Sequence, residues 1–424
     1  MLGVHRAPGR ATALDGAAVR RIAIAGYVLL AVGILVARRP DAVLHPQFWA
    51  EDGKVYFADA YNRGTDALLT PGAGYLVLIP RLTALLAQPL GLAAAPVVFN
   101  LVGLTVQLLP ALFILSSRFG RLIPSLPLRA LVGLMYLLLP CEELHATVTN
   151  AQWHLAVLMC MVLVAAPPRG VAWRCFDIGV LVLGGLSGPL VLVIAPLALV
   201  RRLVSGERWF GVVTITTAAV SLVQLKAIHD AGRGATQLGA GVRLLVRIVA
   251  DRVIVPAVTA DQSTAIYSIH WWHGLLWAAL IVLATAALAA LALLRGPLEL
   301  KLLLVFGGLS LTLALLHPLI VPVGPQWPPI VVSGGAERYF LVPMLAVLML
   351  LIWGIGRLPR RVAPVVGGVL AVTFLAGVAA HPQYPPLLDD HPAASAAALD
   401  AAPRGTVVDV PINPAGWSMS LRKH

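Results

Sequence analysis

The sequence predicts an all-α polytopic membrane protein of about eleven transmembrane helices, a number set by apolar runs of roughly 20 residues. Three observations carry this prediction. The 424 residues are 59% hydrophobic and 12% charged, against about 25% charged in a soluble domain. Water cannot be the solvent for so apolar a surface, so lipid must be. Basic residues fall in short clusters between the apolar runs, as in the cytoplasmic loops of membrane proteins. Trp residues gather near the ends of the runs, the depth that amphipathic rings prefer. The net charge of +12 therefore belongs to loops facing the cytoplasm and not to a nucleic-acid surface.

In chain order, residues 1–21 form a basic cytoplasmic N-terminus with Arg6, Arg10, Arg20 and Arg21, and 22–38 reads as an uncleaved signal-anchor span. Further spans are expected near 93–116, 124–141, 152–167, 208–228, 273–294, 301–322, 339–356 and 362–380. The run 176–200 is apolar but broken by Gly184-Gly185-Leu186-Ser187-Gly188-Pro189. Arg169 and Arg174 precede it and Arg201 and Arg202 follow, so two short helices folded as a hairpin keep both basic flanks on one side. A broken helix at membrane depth is tolerated where it lines a protein cavity.

With the N-terminus inside and the C-terminus outside, the bases of 1–21, 118–129, 169–174, 201–208, 295–301 and 357–361 face the cytoplasm. Only Asp15, Asp177, Glu207 and Glu299 accompany them. This asymmetry supports the orientation. The transmembrane domain then spans 22–380. Its long segments, 39–92, 229–272 and 323–338, lie outside together with a tail, 381–424, too short for an independent domain. Function gathers on loops held by a rigid scaffold, so chemistry is expected on the outer face. Cys141, Cys160 and Cys175 suggest neither a disulfide framework nor a metal site. Phosphate-binding Gly-rich loops, dinucleotide fingerprints and His/Cys metal spacings are absent from the sequence.

Five patches can carry chemistry. Glu51-Asp52 is an acidic pair in aromatic surroundings, suited to accept a proton from a hydroxyl or to hold a divalent cation; a solvated turn at Asp52-Gly53 is the plainer reading. Arg81, in Gly74-Tyr75 … Pro80-Arg81, sits in an apolar stretch and either binds a phosphate or snorkels from a surface helix. Asn150, Gln152, Trp153 and His154 combine amides, an imidazole and an indole at the mouth of a span, a set suited to sugar hydroxyls and a pyranose face; a capped helix in an aromatic belt explains them equally. The segment 241–254 places Arg243, Arg247 and Asp251 on one face of an amphipathic helix expected in the interface. Arg338 begins a late span from outside, between Glu337 and Tyr339, placed to offset charge on a leaving phosphate or to pair with Glu337.

This ordered set resembles the GT-C superfamily of membrane glycosyltransferases: the acidic pair in the first outer loop, Gly74-Tyr75 with Pro80-Arg81, Asn150-Ala151-Gln152-Trp153, the Ser187-Gly188-Pro189 hairpin and Glu337-Arg338-Tyr339. The resemblance covers most of the chain in topology and only these patches in residues. It implies transfer of a sugar from a polyprenyl-phosphate lipid to an envelope glycan, lipid or protein acceptor, outside the plasma (inner) membrane, with inversion at the anomeric carbon. It gives Asp52 the role of base with Glu51 as assistant or alternative. Arg338 and Arg81 fall to the donor phosphate, and Asn150, Gln152, Trp153, His154, Tyr75 and Tyr339 to the sugar or acceptor. A divalent cation is an option and no other cofactor is implied. The alternatives are a transporter or flippase, with which the broken run 176–200 agrees equally, and a non-catalytic assembly partner, favoured if Asp52 is simply paired with Arg81.

Overall fold

The computed structural model describes residues 11–232, 236–263, 272–332, 336–389 and 391–424. Arg6 and Arg10 of the basic N-terminus, Gly334-Gly335 and parts of the 229–272 segment lie outside the described residues. Each apolar run expected to span is helical. In chain order the helices are α1 (Ala11–Arg38), α2 (Leu78–Ala87), α3 (Ala95–Phe113), α4 (Leu126–Leu138), α5 (Ala151–Val164), α6 (Val171–Gly185), α7 (Val191–Ser205), α8 (Arg208–Ala231), α9 (Trp272–Arg295), α10 (Leu298–Leu316), α11 (Leu341–Ile355) and α12 (Ala363–Ala380). A last helix, α13 (Pro392–Ala401), precedes strands β1 (Val407–Ile412) and β2 (Trp417–Arg422).

The chain is a helical membrane protein. Among the described residues six helices, α1, α3, α8, α9, α10 and α12, are long and apolar enough to cross a membrane, and α4, α5 and α11 are shorter apolar helices. Only 6% of the apolar window of α12 and 11% of that of α9 is buried within the protein. Bare apolar flanks of this extent are stable in lipid and costly in water.

Helix α5 is the axis of the bundle. Ala151, Trp153 to Cys160, Val162 and Leu163 are all buried, and α3, α6, α7, α10 and α11 pack around it. A helix apolar on every side is one enclosed by others. Between α3, α4, α5, α10 and α11 a cavity of about 70 Å³ is lined by apolar side chains including Ile123, Val157, Leu303, Phe306 and Leu345, and reaches Tyr136.

The run 176–200 is two helices of 15 residues each, α6 and α7, joined across Leu186–Leu190 by the Gly-Pro junction the sequence marked. Gln224 of α8, fully buried, donates to Gly185 O at 2.8 Å and to Leu76 O at 3.1 Å, and its Oε1 accepts from Leu76 N at 3.0 Å. Ser187 Oγ accepts from Ile79 N at 2.9 Å. One amide and one hydroxyl thus satisfy the polar groups freed where the helices break and fix the start of α2 there.

The end of the bundle where α5 finishes is held by Arg118. Its guanidinium donates to both Asp177 oxygens at 2.6 and 2.8 Å and to Ala166 O at 2.8 Å. Trp209 Nε1 donates to Asp177 at 3.0 Å. The loop after α3, the end of α5, α6 and α8 therefore share one buried ion pair.

The segment between α1 and α3 and the tail build a second core. Phe48, Tyr56, Phe57, Val77, Ala84 and Phe99 pack with Leu399 of α13 and with Val410, Ile412, Met419 and Leu421 of the β-hairpin. The strands pair antiparallel from Val407↔Arg422 to Ile412↔Trp417. The tail is thus packed, and the all-α prediction acquires a small two-stranded sheet. The 241–254 expectation is corrected. Only Val242–Arg247 is an ordinary helical turn; Ile248–Ile254 is a π-helix with Ile248, Ala250, Asp251, Arg252 and Val253 buried. Of the three charges expected on its polar face, Arg243 is exposed, while Arg247 pairs with Asp251 at 3.5 Å and Asp251 is buried with Ile248, Val253 and Ile254.

Replacing Arg118 with Ala strands Asp177 without its cation. We expect a loss of about 3–5 kcal/mol. The double replacement Arg118→Met, Asp177→Leu should recover most of that loss. Thermal unfolding in detergent measures both.

Candidate functional site

At the opposite end of α5 the backbone from 139 to 150 leaves regular helix, and Leu144 to Asn150 are all buried. Gly103 of α3 permits this: a Cβ there would lie 2.6 Å from the carbonyl carbon of Ala146, so only glycine lets the helix approach the loop. A buried loop must find acceptors for its amides. Asp52 supplies two of them.

Asp52 is 1% exposed, and its carboxylate accepts from Val148 N at 3.1 Å and Thr149 N at 2.7 Å. Burial pushes its carboxyl well above the usual range, and the two amide bonds pull it partly back. Glu51 is half-buried and its Oε2 accepts from Thr149 Oγ1 at 3.3 Å. The pair stands at the head of a π-helix, Asp52–Phe57, in place of the expected turn. Such helices recur at functional sites. Ala50, just before, adopts a left-handed φ of 48°.

The other candidates reach the same loop. Glu143 is ion-paired to Arg338, and its amide donates to Glu337 Oε2 at 3.2 Å. Arg338 also donates to Leu319 O at 2.6 Å and lies over the Tyr339 ring at 4.8 Å. Asn150 Nδ2 donates to Glu143 O at 2.8 Å. Gln152 Nε2 donates to Tyr75 OH at 3.0 Å. Trp153 packs edge-on against Tyr339 with centroids 5.5 Å apart, and its buried indole Nε1 has no hydrogen-bond partner among the described residues. His154 is buried and bonded at 2.6 Å to the hydroxyl of Tyr136, a residue that lines the apolar cavity.

Arg81 stands apart. It is 1% exposed, bonded to Asp59 at 2.6 Å and to Thr70 O at 3.3 Å, and it lies over the Tyr56 ring at 5.2 Å. It neither snorkels nor meets Asp52, whose carboxylate bonds two backbone amides.

Three groups escaped sequence reading. Val148 and Thr149 act through backbone amides, which no side-chain pattern reveals. Glu142 and Glu143 are plain loop acids in sequence, yet Glu142 holds Arg39 at 3.1 Å. Asn413, far along the chain, bonds the segment just before Glu51.

Glu337 is buried between Arg252, Glu142 and Arg39. Burial drives its carboxyl from 4.5 up to about 8, against the attraction of Arg252. Burial also lowers His145 to about 3, with Arg39 adding to the shift; its ring bonds Leu35 O at 2.9 Å and Gln107 at 3.3 Å.

A divalent cation needs about six oxygen ligands or more. Both Asp52 oxygens face N–H donors, and among the described residues no group of three or more His, Cys, Asp or Glu is arranged to hold a metal ion. Comparison with protein-family models, curated proteins and solved structures finds no match to the chain.

A carboxyl that binds its proton more tightly when folded stabilises the fold below its unfolded value. That contribution disappears as pH rises through the folded value. For Glu337 the window runs from 4.5 to about 8. Melting temperature in detergent should therefore fall across this window in the wild type, and more shallowly in Glu337→Gln.

Proposed function

We propose that this protein is a membrane glycosyltransferase of the GT-C type. It has eleven spans with the N-terminus in the cytoplasm and the C-terminus outside the plasma membrane. It moves a sugar from a polyprenyl-phosphate donor to an envelope glycan, lipid or protein. One observation carries this reading: the loop 139–150 and the start of α5 gather an acidic pair (Glu51, Asp52), an amide–aromatic patch (Asn150, Gln152, Trp153, Tyr75, Tyr339) and a cation (Arg338) at one end of an apolar bundle.

The chemistry follows from these groups. The acceptor hydroxyl oxygen forms a bond to the anomeric carbon, and its proton passes to a carboxylate. The bond from that carbon to the donor phosphate breaks, and the electron pair leaves on the phosphate. A single displacement inverts the anomeric carbon. Asp52 is the candidate base: burial raises its carboxyl, so its carboxylate holds a proton more tightly than a solvated one does. Glu51, half-buried beside it, is the carboxylate with access from outside. Arg338, partly exposed beyond Glu143, offsets the charge on the departing phosphate. The unpartnered Trp153 N–H suits a sugar hydroxyl. The apolar cavity that Tyr136 lines suits part of an isoprenoid chain. Arg81, engaged with Asp59, supports Tyr56 and the first outer segment, one shell away from the carboxylates.

The transporter reading rests on the break between α6 and α7. Gln224 engages Gly185 O at that break, so this carbonyl serves packing and not an ion path.

Purified wild type should transfer radiolabel from a panel of polyprenyl-phosphate sugars to crude envelope lipids. Asp52→Asn should bind donor yet transfer about 10²–10⁴ times more slowly, and Glu51→Gln distinguishes the assisting carboxylate. Absence of both binding and transfer in wild type across the panel sinks the enzymatic reading. Trp153→Phe keeps the ring and removes the N–H. Its KM should rise about three- to tenfold with kcat held, the worth of one hydrogen bond.

A further inference from the structure

The tail reaches the acidic pair through one residue. Asn413, 3% exposed, sits at the end of β1 and bonds three polar groups of the turn before Glu51. Its backbone N–H donates to Phe48 O at 3.2 Å, and its carbonyl accepts from Ala50 N at 2.6 Å. Its side-chain Nδ2 donates to Gln47 Oε1 at 2.8 Å. The same amide spans a second piece of tail: Nδ2 donates to Leu388 O at 2.8 Å, and Oδ1 accepts from Leu388 N at 2.9 Å. Donors and acceptors of this amide are all used.

The clamped turn is the one that needs clamping. Ala50 is a non-glycine residue at φ 48°, a conformation costing on the order of 1 kcal/mol that persists only where surroundings over-determine it. Asp52 N closes the turn onto Trp49 O at 2.9 Å, and Lys54 N bonds Ala50 O at 3.0 Å, starting the π-helix. The direction in which Glu51 and Asp52 leave the backbone is therefore set at Ala50, and Ala50 is held by Asn413.

We propose that Asn413 is a positioning residue: through the turn at Ala50, the C-terminal hairpin aims Asp52 at the amides of Val148 and Thr149 and Glu51 at the Thr149 hydroxyl. This assignment deepens the glycosyltransferase reading and rests on it for its catalytic meaning. Asn413 touches neither substrate nor the carboxylates.

A control residue lies in the same interface. Asn62 Nδ2 donates to Ser420 O at 3.0 Å, and its Oδ1 accepts from Arg422 N at 2.8 Å. It ties the hairpin to the first outer segment without touching the turn. Asn413→Asp is isosteric and removes two donors; Asn62→Ala loosens the hairpin elsewhere.

Hydrogen exchange followed by mass spectrometry on the intact proteins in detergent reads the turn directly. In Asn413→Asp, exchange in 47–54 and in 144–150 should accelerate about tenfold or more, with α10 and α11 unchanged. Asn62→Ala should leave both segments at the wild-type rate. In the transfer assay Asn413→Asp should lose kcat about 10- to 100-fold with little change in KM, as a misplaced base does, while Asn62→Ala keeps wild-type kcat. Unchanged exchange in 47–54, or equal acceleration by Asn62→Ala, overturns the assignment whatever the activity. Accelerated exchange with undiminished kcat also overturns it. If exchange accelerates as expected while wild type transfers no sugar from any donor, the clamp stands and the glycosyltransferase reading fails.

Discussion

The end of the bundle where α5 begins depends on one constraint: a buried backbone amide must meet an acceptor. The loop between α4 and α5 is enclosed by α1, α3 and the 337–339 turn, where water is scarce. Its amides at 148 and 149 are met by Asp52, its amide at 143 by Glu337 and its carbonyl at 143 by Asn150. Every other placement at this end follows from those bonds. The two ends of the bundle solve the problem of buried charge differently. At one, Arg118 and Asp177 neutralise each other with Trp209 completing the shell, which leaves nothing for chemistry. At the other, carboxylates are divided between arginines and amides, so they differ in proton affinity and in access.

Much of the fold was legible because hydropathy reports lipid contact. The apolar run 208–228 falls within helix α8, 362–380 differs from α12 by one residue, and the Gly-Leu-Ser-Gly-Pro break in 176–200 is a real junction. Boundaries drifted where the end of an apolar run is not the end of a helix: α10 stops at Leu316, before His317-Pro318, although the run reads on to 322. Segment 248–254 was misread because periodicity reports which side of a helix is polar, and a π-helix has a different period. The β-hairpin left no clear trace, since its alternation is short and its partner surface, residues 48–62, lies hundreds of positions away.

The candidate residues were legible as a set and not as a geometry. Short polar patches inside an apolar chain stand out, and the structure brings Glu51, Asp52, Tyr75, Asn150, Gln152, Trp153, Arg338 and Tyr339 to one loop. Arg81 stood out for the same reason and went elsewhere, because Asp59, one of many acids in that segment, lay closer. His154 proved to be buried against Tyr136. The roles of Glu143, Val148, Thr149 and Asn413 depend on backbone groups and long-range contacts, which carry no local signature.

The clamp on the Ala50 turn has a temporal side. Asn413 follows its partner Gln47 by 366 positions. At about 5–20 residues per second, the ribosome needs on the order of 20–70 s between them. For that interval the acidic turn stands without its latch, which is set only when the hairpin has been made and has folded back onto it. The turn beside the carboxylates is thus set only once the hairpin exists, so a copy made only as far as α12 would hold the bundle and lack the clamp on Ala50.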